Sequence, residues 1–214
     1  LGNTLRISMC PSSQAFSSNV TVTDSLKANA VVAGATVINV NGAVNAAVNI
    51  ANNDLISVDG GSTYIRVTEV NATAIMVATA PGTVSVGAPI LRKWQYADQF
   101  GVAPGTSSFV SALNGSGDEM HVIVVDEDGD FSGGIANTVL EKYSFVSKAS
   151  DAVNNDGSTN YYKTVINSQS KYVWWLGHQP GSSNWGTTSS AKTFTNINTP
   201  FSASMSAGAD GTIG

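Results

Sequence analysis

Charge is scarce in this sequence. Lys, Arg, Asp and Glu together make up 12% of its 214 residues, against about 25% in an ordinary soluble protein. The ten basic residues are scattered, the net charge is −5 and the pI is near 4.8. Nucleic acid is therefore not an expected partner, because neutralising phosphates needs clustered Lys and Arg. Cysteine is scarcer still. Cys10 stands alone, which excludes an internal disulfide and a cysteine-based metal cage. Its expected place is that of a small buried hydrophobe in a strand from Leu5 to Cys10. No apolar run approaches the ~18 residues of a membrane span and no charged-then-apolar leader precedes Leu1, so no membrane partner is expected. The chain opens on Leu rather than Met, and the expectation is a segment of a longer protein. Sequons at Asn19, Asn71 and Asn114 carry little weight in a chain this rich in Asn, Ser and Thr.

Catalytic signatures are also missing. There is no G-x-S-x-G elbow, no H-E-x-x-H, no phosphate-binding glycine loop and no dinucleotide fingerprint. Of the two histidines, His121 alternates within a strand and is expected to be structural, while His178 sits at the mouth of a polar loop. Carboxylate pairs for glycoside chemistry could be sought at Asp118-Glu119 or among Asp126 to Asp130, but both groups fall where turns place solvated acids. Asp126, Asp128 and Asp130 occupy the first, third and fifth positions of a calcium-loop pattern. The sixth is Phe131 instead of Gly and the twelfth is Asn137 instead of a bidentate Glu. The stretch is expected to be a turn at Asp128-Gly129, closing a strand Met120 to Val125 before the chain returns through Thr138 to Ser147. By residue chemistry the chain reads as a non-catalytic domain with no cofactor and no metal.

What is abundant is Ser, Thr, Asn and Gly, with short β-branched runs. Residues 19–92 carry such runs at 35–40, 54–58, 62–70, 73–78 and 84–91, separated by turn signals at Asn41-Gly42, Asp59-Gly60-Gly61, Asn71 and Pro81-Gly82. Even spacing of this kind predicts a small antiparallel, barrel-like β-module, inserted as a separate lobe. Its charges, Asp54, Asp59, Arg66 and Glu69, are expected to be single charges on alternating faces.

From Lys93 onward the texture changes. Ser158, Thr159 and Asn160 are N-cap candidates for a short amphipathic helix carrying Tyr161, Val165 and Ile166 on one face. YVWWL, residues 172–176, predicts a central strand buried on both faces, although Trp174 and Trp175 could instead form a sugar platform. Residues 177–192 form a polar loop around Trp185, whose exposure is undetermined. Leu5–Cys10 and residues 201–206 alternate as half-buried strands, with Leu5, Ile7 and Met9 on one face of the first and Phe201, Ala203 and Met205 on one face of the second. They are expected to share a sheet. The fold class is thus α+β, mainly β. A sheet or sandwich domain with a few flanking helices, formed by residues 1–18 and 93–214, would carry the insert 19–92.

The two ends also carry a resemblance. LGNTLRI, residues 1–7, resembles the G-N-x-L-x-(V/I) stretch at which contractile phage tail sheath proteins enter their protruding domain. MSAGADGTIG, residues 205–214, is similar to the L-x-G-G-x-D-G segment at which that domain returns. Between them DEMHVIVVDEDG, a second strand ending near FVS, the helix with YYKTVIN and then YVWWL follow the order seen in sheaths of T-even-like and cyanophage-like myophages. The match covers residues 1–19 and about 93–214, with Met205 and Ala207 departing from the usual Leu and Gly. The resemblance implies a mechanical protein with no catalytic residues, the outer protrusion of a subunit whose helical polymer contracts to drive a tail tube through the host envelope. Implied partners are neighbouring sheath subunits, with tail tube and baseplate engaged through other regions. The implied location is the virion, after assembly in host cytoplasm, and the isolated segment is expected to be monomeric. The sheath of a bacterial contractile machine related to phage tails is a close alternative. The competing classes are a carbohydrate- or cell-surface-binding module that uses the β insert or the group Trp174, Trp175 and Trp185, and an enzyme using His121 or His178.

Overall fold

The computed structural model describes residues 4–18, 27–28, 31–40 and 46–205. The strands are β1 (Leu5–Cys10), β2 (Ser17–Ser18), β3 (Lys27–Ala28), β4 (Val37–Asn39), β5 (Leu55–Ser57), β6 (Ile65–Val70), β7 (Ala74–Val77), β8 (Ala88–Pro89), β9 (Leu91–Lys93), β10 (Glu119–Asp126), β11 (Thr138–Ser147) and β12 (Phe201–Met205). The helices are short: α1 (Ser13–Phe16), α2 (Ala46–Asn49), α3 (Ser108–Ala112) and α4 (Tyr162–Gln169). No helix among the described residues is long and apolar enough to cross a membrane. The chain is mainly β and forms two compact units. One holds Leu1–Pro11, Pro104–Asn196 and Phe201–Gly214, the other Ser12–Ala103 and Ile197–Pro200.

The first unit is built on a four-stranded antiparallel sheet in the order β11-β10-β1-β12. β10 is buried at every position but its first, as its unbroken apolar run requires of an inner strand covered on both faces. β1 lies beside it, also largely buried, with Met9, Cys10 and Ser8 inaccessible. Pairing of β1 with β12 runs from Leu5↔Met205 to Met9↔Phe201. Ser8 reinforces it, donating to the Phe201 carbonyl, 193 positions away, at 3.3 Å and accepting from Ser202 Oγ at 2.6 Å. The expected shared sheet is therefore present, but the half-buried face of β12 is not. All five of its residues are exposed, because β12 is an edge strand. Ser206 and the remainder of the 205–214 motif lie outside the described residues, as do residues 1–3 of the first motif.

The second unit contains a six-stranded sheet, β2-β9-β5-β6-β7-β4, and the short pair β3-β8. Its core is aliphatic: Ile38, Ile50, Ile56, Val67, Ile75 and Ile90 are essentially inaccessible, each worth about 1.5–3 kcal/mol of transfer free energy. Among the described residues no ladder joins β4 to β2. The unit also extends beyond 19–92 in both directions. β2 pairs with β9, the Trp94 N–H donates to the Phe16 carbonyl at 2.8 Å, and Trp94 stacks on Phe100 and meets Tyr96 edge-on. The run 84–91 is not one strand: a turn at Val86-Gly87 separates an isolated bridge at Val84 from β8 and β9. The Asn41-Gly42 turn lies outside the described residues.

Two further expectations give way. Residues 173–176 have no regular secondary structure, and Trp174 and Leu176 are 67% and 77% exposed. The cap of α4 is Tyr161, with no side-chain cap hydrogen bond, and it is Tyr162 rather than Tyr161 that is buried with Val165 and Ile166.

Candidate functional site

The aspartate loop is a self-contained structure between β10 and β11. Asp126 is inaccessible, and its carboxylate accepts from Gly129 N at 2.9 Å, Phe131 N at 2.9 Å and Ser132 Oγ at 2.7 Å. Burial alone would raise this carboxyl, but the hydrogen bonds from Ser132, Gly129 and their neighbours outweigh it and hold the pKa below the usual range. Asp128 Oδ2 accepts from the Thr4 N–H at 2.7 Å and its Oδ1 from Asp130 N at 3.3 Å. Asp126 is thus turned inward on the loop's own donors, while Asp128 and Asp130 are exposed. Gly129 has φ of 94°, and a Cβ there would lie 2.8 Å from the Gly134 carbonyl carbon, so the turn requires glycine on both counts.

The other acid pair is not solvated as expected. Asp118 is inaccessible and accepts from Ser107 N and Oγ, each at 2.8 Å, and from Ser147 Oγ at 2.6 Å. Ser107 also caps α3, so one carboxylate ties a helix N-terminus to the end of β11. Glu119 accepts from Gly105 N at 2.9 Å, and burial raises its pKa. Lys148 sits beside these groups, inaccessible to solvent. Its ammonium donates to the Pro11 and Gly117 carbonyls, each at 2.6 Å, and lies 5.1 Å from the centre of the Trp185 ring. Desolvation lowers its pKa to about 8 against the pull of Asp118.

Both histidines have structural partners. His121 is inaccessible, and its Nδ1 accepts from the Phe145 N–H at 3.1 Å. His178 is exposed, with its Nδ1 2.7 Å from the Tyr162 hydroxyl. Desolvation and then Lys163 depress the His178 pKa. Tyr162 is the hub of an aromatic cluster, meeting Tyr161, Trp175 and Trp185 edge-on and His178 at a tilt. The tryptophans are therefore separated in role. Trp185, in the polar loop, is 4% exposed and donates from Nε1 to the Thr195 carbonyl at 3.2 Å. Trp175 is half-buried and Trp174 points outward.

Trp174 borders a surface hollow, a depression of about 430 Å³ lined by Tyr161, Lys163, Thr164, Asn167, Ser168 and Trp174. The irregular chain carrying Trp174 is held by side chains on both flanks. Asn167 accepts from the Trp175 N–H at 2.6 Å and donates to its carbonyl at 2.9 Å, and Lys163 donates to the Leu176 carbonyl at 2.5 Å. Upstream, Ser170 Oγ accepts from Tyr172 and Val173 N–H groups, and Glu141 accepts from Lys171 N and Ser170 Oγ. None of these clamps had a signal in the sequence, since each is a lone polar residue at no diagnostic spacing. Compared with protein-family models, curated proteins and solved structures, the chain matches none of them.

Proposed function

We propose that this chain is the outer protruding region of a contractile phage tail sheath subunit. It would act mechanically, as part of a helical polymer that shortens and drives the tail tube through the host envelope. The observation that carries the reading is the pairing of β1 with β12. Leu5 lies opposite Met205, so the segment resembling the sheath's exit motif and the start of the segment resembling its return motif meet in adjacent antiparallel strands. A chain that leaves a common base and comes back to it requires that arrangement. The burial of Asp118 and Asp126 and the structural partners of His121 and His178 support a scaffold role in the same way. Neighbouring subunits are the proposed partners, with tail tube and baseplate reached through other parts of the subunit, and the virion is the proposed location. A repeated heterologous contact that does not close into a ring generates such a filament, and its working energy is the difference between two packings of the same surfaces.

The test is to express the full-length gene from which the chain comes and examine the product by electron microscopy. Helical tubes with antibodies against this chain bound along their outer surface are expected. A product that stays dispersed at high concentration, or tubes whose outer surface those antibodies never decorate, overturns the reading.

A further inference from the structure

We infer that the hollow beside Trp174 is a binding site for a pyranose ring of a surface glycan. This inference does not rest on the sheath reading; it rests on how the hollow is built. An indole 67% exposed to solvent is an unusual investment, because a tryptophan left in water forgoes the burial that makes it stabilising. Here the adjoining backbone is tied down. Asn167 clamps both backbone groups of the next residue, Trp175, and Lys163 holds the Leu176 carbonyl. The backbone that carries the indole is therefore held before any ligand arrives, which lowers the ordering cost of binding.

The chemistry of the lining selects the ligand. Besides the indole, the lining residues carry the Thr164 and Ser168 hydroxyls, the Asn167 amide, the Lys163 ammonium and the Tyr161 ring. A wholly apolar partner would cover these polar groups without pairing them, at a cost of roughly 1–3 kcal/mol for each one stranded, which is about a tenfold loss of affinity or more. A pyranose has both surfaces required: an apolar C–H face for the indole and a rim of hydroxyls for the amide, hydroxyl and ammonium groups. Spare capacity exists for them. Asn167 keeps one N–H beyond its bond to the Trp175 carbonyl, Lys163 keeps two beyond its bond to Leu176, and Ser168 Oγ, which donates to the Val165 carbonyl, can still accept. The volume, about 430 Å³, falls within the roughly 300–1,000 Å³ of small-molecule sites. The open form suits one residue of a longer chain.

Saturation-transfer NMR on the whole chain tests this, using the methyl glycosides of glucose, galactose, mannose and N-acetylglucosamine as probes, with adenosine as a stacking control. At least one glycoside is expected to receive saturation, and its C–H protons facing the indole are expected to receive most. Trp174→Ala should weaken that binding by at least about tenfold, as removal of a central aromatic anchor does. Leu176→Ala, which removes an equally exposed apolar side chain from the same segment, should leave it unchanged. Silence from all four glycosides, binding that survives Trp174→Ala, or saturation of adenosine alone would each overturn the assignment. Both substituted residues are exposed, so their variants keep the fold, and circular dichroism verifies it.

Discussion

His121 Nδ1 accepts the backbone N–H of Phe145 at 3.1 Å, and the two rings meet edge-on with centroids 4.6 Å apart. The contact spans a bulge. Between Met120↔Val146 and Val122↔Tyr143 the register shifts, and Phe145 takes a left-handed φ of 55°, a conformation that is strained for a bulky side chain. The amide displaced from the ladder there is received by the imidazole, which must be unprotonated at Nδ1 to accept it. His121→Leu should strand that N–H beside a buried strand and lower stability by about 1–3 kcal/mol. Urea unfolding of the two proteins measures this, and an unchanged midpoint would mean that the bulge needs no acceptor.

Arg92 and Asp54 form a second buried relationship, inside the aliphatic unit. The ion pair, at 3.1 Å, is almost wholly inaccessible on both sides. Arg92 also donates to the carbonyls of Gln14 and Asn198, while Asp54 accepts from Ala51 N at 2.8 Å. Burial raises the Asp54 pKa to about 6 in spite of the guanidinium. Arg92→Met alone leaves a buried carboxylate unpaired and should cost about 3–5 kcal/mol, whereas adding Asp54→Leu should recover much of that loss. A double variant no more stable than Arg92→Met would show that Arg92 acts mainly through the two carbonyls.

Asp126 supplies an acid-dependent term. Its folded-state pKa lies below the ordinary carboxylate value of 3.8, so its contribution is complete above that value and is lost as pH falls through the lower folded pKa. Asp126→Asn should therefore destabilise the chain at neutral pH, and its deficit relative to the parent should shrink in strong acid. Calcium titration of the parent should leave the melting temperature unchanged at low millimolar metal, because the carboxylate oxygens are already engaged by Gly129, Phe131 and Ser132. A rise of several degrees would reveal a bound ion, since a ligand of the native state must stabilise it.

How far the sequence was legible follows from where the information resides. β10 was visible because a continuous apolar run has few alternatives, and its return strand because Asp128-Gly129 marks a turn. The partnership of β1 and β12 was visible in their alternation. The exposure of β12 was not, because alternation cannot tell an inner strand from an edge. YVWWL has the composition of a core strand, yet it is pulled out of the sheet by Asn167, Ser170, Glu141 and Lys163, whose hydrogen bonds satisfy the backbone that a ladder would otherwise claim. The candidate hollow shares that origin. Asp54 looked like an isolated charge because its partner Arg92 lies 38 positions away and only the folded chain brings the two together.

Lys148 makes the last prediction, and its sign runs opposite to that of Asp126. Its ammonium is confined beneath the Trp185 ring between the Pro11 and Gly117 carbonyls, and desolvation lowers its pKa from 10.5 to about 8. At neutral pH both folded and unfolded chains carry the proton, and the folded state bears the cost of burying the charge. As pH rises above about 8 the folded state releases its proton while the unfolded state keeps it until about 10.5. The unfolded chain then binds more protons, so this group's contribution to stability rises across that window, by a few kcal/mol at most for a shift of this size. Lys148→Met removes the titration. The stability of the parent measured against Lys148→Met should therefore climb between about pH 8 and 10.5, in urea titrations followed by tryptophan fluorescence. A difference that stays flat through that range would mean that the two carbonyls and the indole compensate the ammonium fully, and that its pKa is not depressed.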